Sequence, residues 1–434
     1  MSRHVRWLTL LSLLAIPAML LAACAPSIWP ARATPAQAGA GGTAATDKLE
    51  MFSWWTAGGE ATGLNALYEQ YKKAYPSVEI VNATVAGGAG TSAKTVLSDR
   101  LLGGDPPDAF QLHAGLEIEK YDPAKYVQTL DTLYASEGWA KVFPKDLISL
   151  LKYQEHFWGV PVNIQRANVM WYNKDVFGKN GLKPPTTWDE FFQVAETLKA
   201  KGIVPLVIGT QEGWEAGHTF ETILVSVLGA EGYKGLWNGK TQWTDPKVTQ
   251  ALETYKKVMT YANTDYSALS WSDAAQYLVD GKGAMHIMGD WTDGWFTSQG
   301  FKGYGWAPVP GSQGVFDALS DSFAAATGAK NQANLESWLK LAGSKAGQEA
   351  FNTKKGSICA RTDCEPKLFS AYLQSAMQDL SRDAIVPSVA HGAAAVERWA
   401  TVYKDILNTF ATKGDVAATQ TALQQACVDN GVCK

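Results

Sequence analysis

Apolar and polar positions alternate between two periods along most of the chain. Lys48-Leu-Glu-Met-Phe-Ser-Trp-Trp55 reads as a strand that ends in two aromatics, and Gly58 and Gly59 then open a loop. Over 61–75, Leu64, Leu67, Tyr68 and Tyr71 recur at the three- and four-residue spacing of a helix, which Pro76 stops. A second strand follows over 78–85, then Gly87-Gly-Ala-Gly90, a helix over 92–102 and a short strand over 108–113. The order β-α-β-α-β, with helical crossovers, predicts an α/β fold around a parallel sheet.

Further on, a strand over 157–163 runs on through 169–172. Thr187 and Glu190 have capping-box spacing at the start of a helix. Another strand is expected over 205–209, helices over 220–228, 246–261 and 272–280, and strands over 283–289 and 316–323. From Asn331 on the pattern is mostly helical, and no internal repeat is seen. Open α/β sheets bind ligands beyond the carboxyl ends of their strands. The polar or aromatic groups at such ends are Trp54-Trp55, Gln111 and His113, Asn163, Asp290-Trp291, Asp321 and the loop Lys355-Gly-Ser357.

The first residues add an address. Arg3, His4 and Arg6 precede an apolar run broken only by Thr9, Ser12 and Pro17, and small residues end it, so 1–23 reads as a secretory signal. Leu21-Ala-Ala-Cys24 resembles the lipobox of bacterial lipoproteins, which implies diacylglycerol on the Cys24 sulfur and stable membrane anchoring. Residues 24–46, rich in Pro, Gly, Ala and Thr, are expected to form a disordered spacer.

The remaining length, roughly 390 residues, suggests two domains. Net charge is −4 with no basic block, which removes the electrostatic footprint of nucleic-acid binding. Seventeen Trp are the compositional outlier; most are expected in the core, but flat apolar faces also suit ligand contact. With Cys24 assigned to lipid, Cys359, Cys364, Cys427 and Cys433 remain for two disulfides. Four cysteines allow three pairings, of which the local one needs least loop closure. They lack metal-site spacing, so no metal and no cofactor is expected.

Several short motifs share a familiar order: Phe-Ser-Trp-Trp, Leu-Gly-Gly-Asp-Pro-Pro-Asp (102–108), Val-Pro-Val-Asn (160–163), Trp-Tyr-Asn-Lys (171–174), Pro-Pro-Thr-Thr-Trp-Asp-Glu (184–190), Met-Gly-Asp-Trp (288–291) and Ala-Pro-Val-Pro-Gly (307–311). Together they resemble the family 1 extracellular solute-binding proteins, the sugar receptors of bacterial ABC importers, and are most similar to its Thermus-type glucose/galactose-binding branch. The resemblance implies the two-lobed periplasmic-binding-protein-like fold of type II. One lobe would take 47–162 and 322–357, the other 163–321 and 358–434. It also implies a monomer that captures a small sugar by lobe closure and passes it to the importer's transmembrane subunits.

A pyranose needs aromatic planes against its faces and charged or amide groups around its rim. Trp54 and Trp55 match the family's aromatic pair, with at least one flanking the sugar, and Glu60 matches an acidic position after them. Gln111 and His113 lie on one face of their strand, and the resembled proteins line the sugar with this pair. Asn163 stands at the first crossing, and Trp271 and Trp291 are the second lobe's aromatic candidates. Asp321, Lys355 and His391 match a hinge-strand carboxylate, a cleft lysine and a late-helix histidine. Asp290 either binds hydroxyls or caps the following helix. His286, inside an apolar strand, reads as structural, whereas His156 and His218 have no matching context. Gly87–Gly90 lacks the Lys of a nucleotide loop and reads as a sugar-side or surface loop. The rival is an exported glycoside hydrolase using Glu60, Asp290 or Asp321, but that chemistry needs a matched carboxylate pair, and Lys and His offset these acids.

Overall fold

The front of the chain forms the sheet its pattern predicts. In the computed structural model, which describes residues 47–433, strands Lys48–Phe52, Glu79–Asn82 and Ala109–His113 pair in parallel. Helices Gly58–Ala74 and Thr91–Leu102 are their crossovers. The signal at 1–23, Cys24 and the 24–46 spacer lie outside the described residues. Two distant segments complete a five-stranded sheet: Asp321–Ala325 pairs antiparallel with Ala109–His113, and Val160–Pro161 closes the edge. Pro161 has no N–H to give, so the edge suits it.

A second sheet holds, in order, Tyr304–Pro308, Val169–Asn173, Gly283–Ile287 and Val204–Val207. Only its last two strands are parallel. The parallel expectation therefore holds for the three front strands and fails where Asp321–Ala325 joins them and Val160–Pro161 follows, both antiparallel. A third sheet of Ala384–Pro387, Val315–Leu319 and Gln165–Arg166 lies where the chain passes between the other two. The strand expected over 316–323 is in fact two, Val315–Leu319 and Asp321–Ala325, split at Ser320 into different sheets. The one expected over 157–163 is likewise short pieces, His156–Phe157 and Val160–Pro161. Continuous apolarity marks burial, but it does not mark a change of sheet. One apolar cluster packs the five-stranded sheet and reaches Val169, Trp171 and Val207 of the four-stranded sheet, and a second gathers around Met170, Leu206, Met285 and Ile287, within a two-lobed α/β architecture.

Helix starts follow local chemistry. Thr187 Oγ1 accepts from Glu190 N at 3.2 Å, but the Glu190 carboxylate turns to the N–H and hydroxyl of Thr186, both at 2.7 Å. The capping box is thus half formed, with its return bond one residue early. The helix expected over 220–228 runs from Trp214 to Asn238, with a break at Gly229. Helix Trp291–Ser298 lies against Gly58–Ala74 and the end of Lys345–Lys355. Gly294 permits this approach: a Cβ there would sit 2.1 Å from the Lys355 carbonyl oxygen. The local cysteine pairing is the one formed, Cys359–Cys364 and Cys427–Cys433. Among the described residues no helix is long and apolar enough to cross a membrane.

Candidate functional site

The strand ends of the first sheet, the chain crossings and four helix starts converge on one small enclosed space. Antiparallel register sets Asp321 opposite His113. The Asp321 carboxylate collects three amide donors: Gln111 Nε2 gives to Oδ1 at 2.9 Å, while Asn163 Nδ2 and Gln165 Nε2 give to Oδ2 at 2.8 and 2.6 Å. Asn163 also accepts the Asp321 N–H at 2.7 Å. These bonds fix a buried anion in place before any ligand arrives, leaving an open lone pair toward the space. Gln111 Oε1 accepts from Ser53 Oγ at 2.8 Å and from Trp54 N at 3.2 Å, so the same amide sets the turn that carries the Trp pair.

His113 is oriented from behind. Its Nδ1 lies 2.7 Å from Glu117 Oε2, which also meets Lys94 Nζ at 2.8 Å. Burial favours the neutral acid, but Lys94 and His113 outweigh it and hold Glu117 down to about 2. An ionised carboxylate only accepts, so Nδ1 carries the proton. Nε2 then faces Asp321 Oδ1, 3.8 Å away. Lys355 Nζ donates to Gln165 Oε1 at 2.6 Å and lies 3.3 Å from Glu60 Oε1 and 5.7 Å from the Trp291 ring centre. Burial raises the Glu60 pKa, and Lys355 pulls it back.

The opposite wall is aromatic. Helices Trp214–Asn238, Trp271–Val279 and Trp291–Ser298 each begin with a Trp that lines the space. Trp291 packs on Trp214, Trp271, His218 and His391, with ring centres 5.2–6.4 Å apart. His218 Nδ1 and His391 Nε2 are 3.2 Å apart, a pair of rings in which one donates and the other accepts. Burial lowers the pKa of both, His218 to about 3.

The structure brings Trp54, Trp55, Glu60, His113, Trp271, Trp291, Asp321, Lys355 and His391 to this space. Trp54 lies tilted against His113 with centres 5.0 Å apart, whereas Trp55 packs mainly inward on Phe351 and Phe323. Gln111 and Asn163 stand one layer back, holding Asp321 rather than lining the space. Asp290 neither lines the space nor caps its helix: Oδ2 accepts from Arg166 N at 3.0 Å, and the buried Oδ1 has no partner. Burial raises its pKa far above the carboxylate range, with the Arg166 N–H and Lys355 opposing. His286 is structural, with Nδ1 on the Val207 carbonyl at 2.8 Å.

Sequence reasoning missed Gln165, Trp214, Leu319 and, behind them, His218. Gln165 is two residues beyond Asn163 and shares its face, and Trp214 follows a strand through the turn between Gly209 and Gly213, so both carried a signal. The free space is about 20 Å³, about the room for one water. A larger ligand therefore enters only when the two walls part.

A family model described as bacterial extracellular solute-binding protein matches residues 56–349. The chain belongs to this family. Its members are solute receptors, not enzymes. This solute-binding protein is 36% identical over 420 residues to an uncharacterised ABC transporter extracellular-binding protein of Pyrococcus horikoshii, covering 95% of this chain and 94% of that one. It is 34% identical over 360 residues to a probable sugar-binding periplasmic protein of Brucella suis, covering 79% and 83%. In fold it is similar to the bacterial solute receptor AcbH, described as exclusively preferring β-D-galactopyranose, with TM-score 0.79 at 19% identity over 88% of this chain and 98% of that one.

Proposed function

We propose that this chain is the sugar receptor of an ABC importer, a monomer anchored through lipid on Cys24. It captures one hexose of the glucose, galactose or mannose type and presents it to the importer's membrane subunits. One lobe takes 47–162 with 322–357, the other 163–321 with 358–434, and closure brings their walls onto the ring. The observation that carries this reading is the pairing of Trp faces with a fixed polar rim. Trp54, Trp214, Trp271 and Trp291 stand around the carboxylate, amide, ammonium and imidazole of Asp321, Gln165, Lys355 and His113. Trp planes suit the C–H faces of a pyranose, and charge-assisted bonds suit its hydroxyls. The named ligand classes of the Brucella protein and of AcbH support the same class.

A short oligosaccharide is the second reading. A chamber of about 250 Å³ adjoins the site, sharing Ala89 and Trp214 as walls and reaching Lys94, Glu397 and Lys404. Calorimetric titration with a panel of monosaccharides and disaccharides is the test. We expect the tightest binding from a hexose. Tighter binding of a disaccharide replaces the first reading with the second, and no binding of any hexose or short glucan overturns both.

A further inference from the structure

We infer that Glu212 is the latch of the closed cleft, a positioning residue that ties the two walls together and sets the Trp214 ring; this rests on the sugar-receptor reading above. Gly88 lies between strand Glu79–Asn82 and helix Thr91–Leu102, on the side of the five-stranded sheet, and Glu212 follows strand Val204–Val207 of the other large sheet. One atom joins them. Glu212 Oε2 accepts the Gly88 N–H at 2.8 Å and the Trp214 Nε1–H at 3.1 Å. The approach leaves no room for a side chain: a Cβ on Gly88 would sit 2.1 Å from that oxygen and 2.7 Å from Trp214 Nε1. The loop is tied to the other Trp as well, since a Cβ on Gly90 would lie 2.8 Å from the Trp54 ring. Glu212 has no ion pair among the described residues, so its carboxylate serves these N–H donors alone.

The latch stands between two spaces. Gly88 lines the sugar site, Glu212 and Gly213 line the adjoining chamber, and Ala89 and Trp214 belong to both. Making the bond seals the ring site from the chamber. Parting the walls breaks it and returns both groups to water, so it favours only the closed form and acts on release rather than on folding.

Stopped-flow release of the hexose that the wild type binds, read by Trp fluorescence on the full-length protein, tests this. Glu212→Ala is expected to speed release about tenfold, the loss of one charge-assisted hydrogen bond. Glu212→Gln, which keeps an acceptor oxygen, restores slow release in large part, and Gly88→Ala speeds release as Glu212→Ala does. The melting temperature without sugar stays that of the wild type in all three, a readout that a purely structural role would lower. Unchanged release in Glu212→Ala, or a fall in its sugar-free melting temperature, overturns the latch while leaving the receptor reading intact. A wild type that binds no sugar overturns the receptor reading and the latch with it.

Discussion

The wall built from the five-stranded sheet and the wall built from helix starts face the same small space, but different forces keep their shapes. On the sheet side Asp321, Gln111, Asn163, Gln165 and Ser53 form a directional hydrogen-bonded lattice. On the helix side Trp214, Trp271, Trp291, His218 and His391 keep their places mainly by ring packing. A directional lattice fixes which way each lone pair points, whereas packed rings tolerate small rotations and conform to a surface. The sheet side is suited to read hydroxyl orientation, and the helix side to cover whatever has been read.

Three experiments sharpen this contrast. The largest stability effect falls on the packed wall. Trp291→Ala empties the middle of the ring cluster and is expected to cost about 3–5 kcal/mol in urea unfolding, the usual range for a buried Trp; a cost under about 1 kcal/mol breaks the idea that packing shapes this wall. Asp321→Ala leaves three amides without their shared acceptor. We expect a loss of about 2 kcal/mol of stability, and hexose binding weakened at least ~30-fold by calorimetry, in line with the loss of charge-assisted bonds. If affinity falls no further than stability implies, the lattice is scaffolding and reads nothing.

The smallest effect concerns pH. His218 is neutral in the fold because burial, and then nearby His286, lower its pKa from 6.5 to about 3. The unfolded chain takes up a proton in that window and the folded chain does not. The stability this histidine contributes is therefore present above pH 6.5 and lost as pH falls toward 3. His218→Gln removes that dependence. The stability gap between wild type and variant should narrow by about 1 kcal/mol per pH unit on acidification from pH 6; parallel profiles would mean that the ring is not held neutral. Asp290 and Glu215, both raised by burial, act in the opposite sense in wild type and variant alike, so the difference reports the His218–His391 pair, whose second ring is also held neutral by burial and then by His218.

Much of this was legible in the sequence. The front β-α-β-α-β order and the helix starting near Thr187 are where the pattern put them, and nine of the twelve residues singled out line one shared space. What was not legible shares one cause. Whether Gln111 or Asn163 touches a ligand or supports the residue that does depends on strands that meet from 158 or 210 positions away. Period-two alternation gives the face of a strand but not the depth of a layer. Ser320 is the sharpest case: nothing in Ala-Leu-Ser-Asp-Ser marks it as the point where one sheet hands the chain to another.

The two disulfides close loops of only five and six residues in sequence, Cys359–Cys364 and Cys427–Cys433. Partners so near collide far more often than either does with the distant pair, because closing a short loop forfeits little chain freedom. Correct oxidation after export therefore needs an oxidant but no shuffling catalyst, and protein made in a reducing compartment can be oxidised afterwards without scrambling.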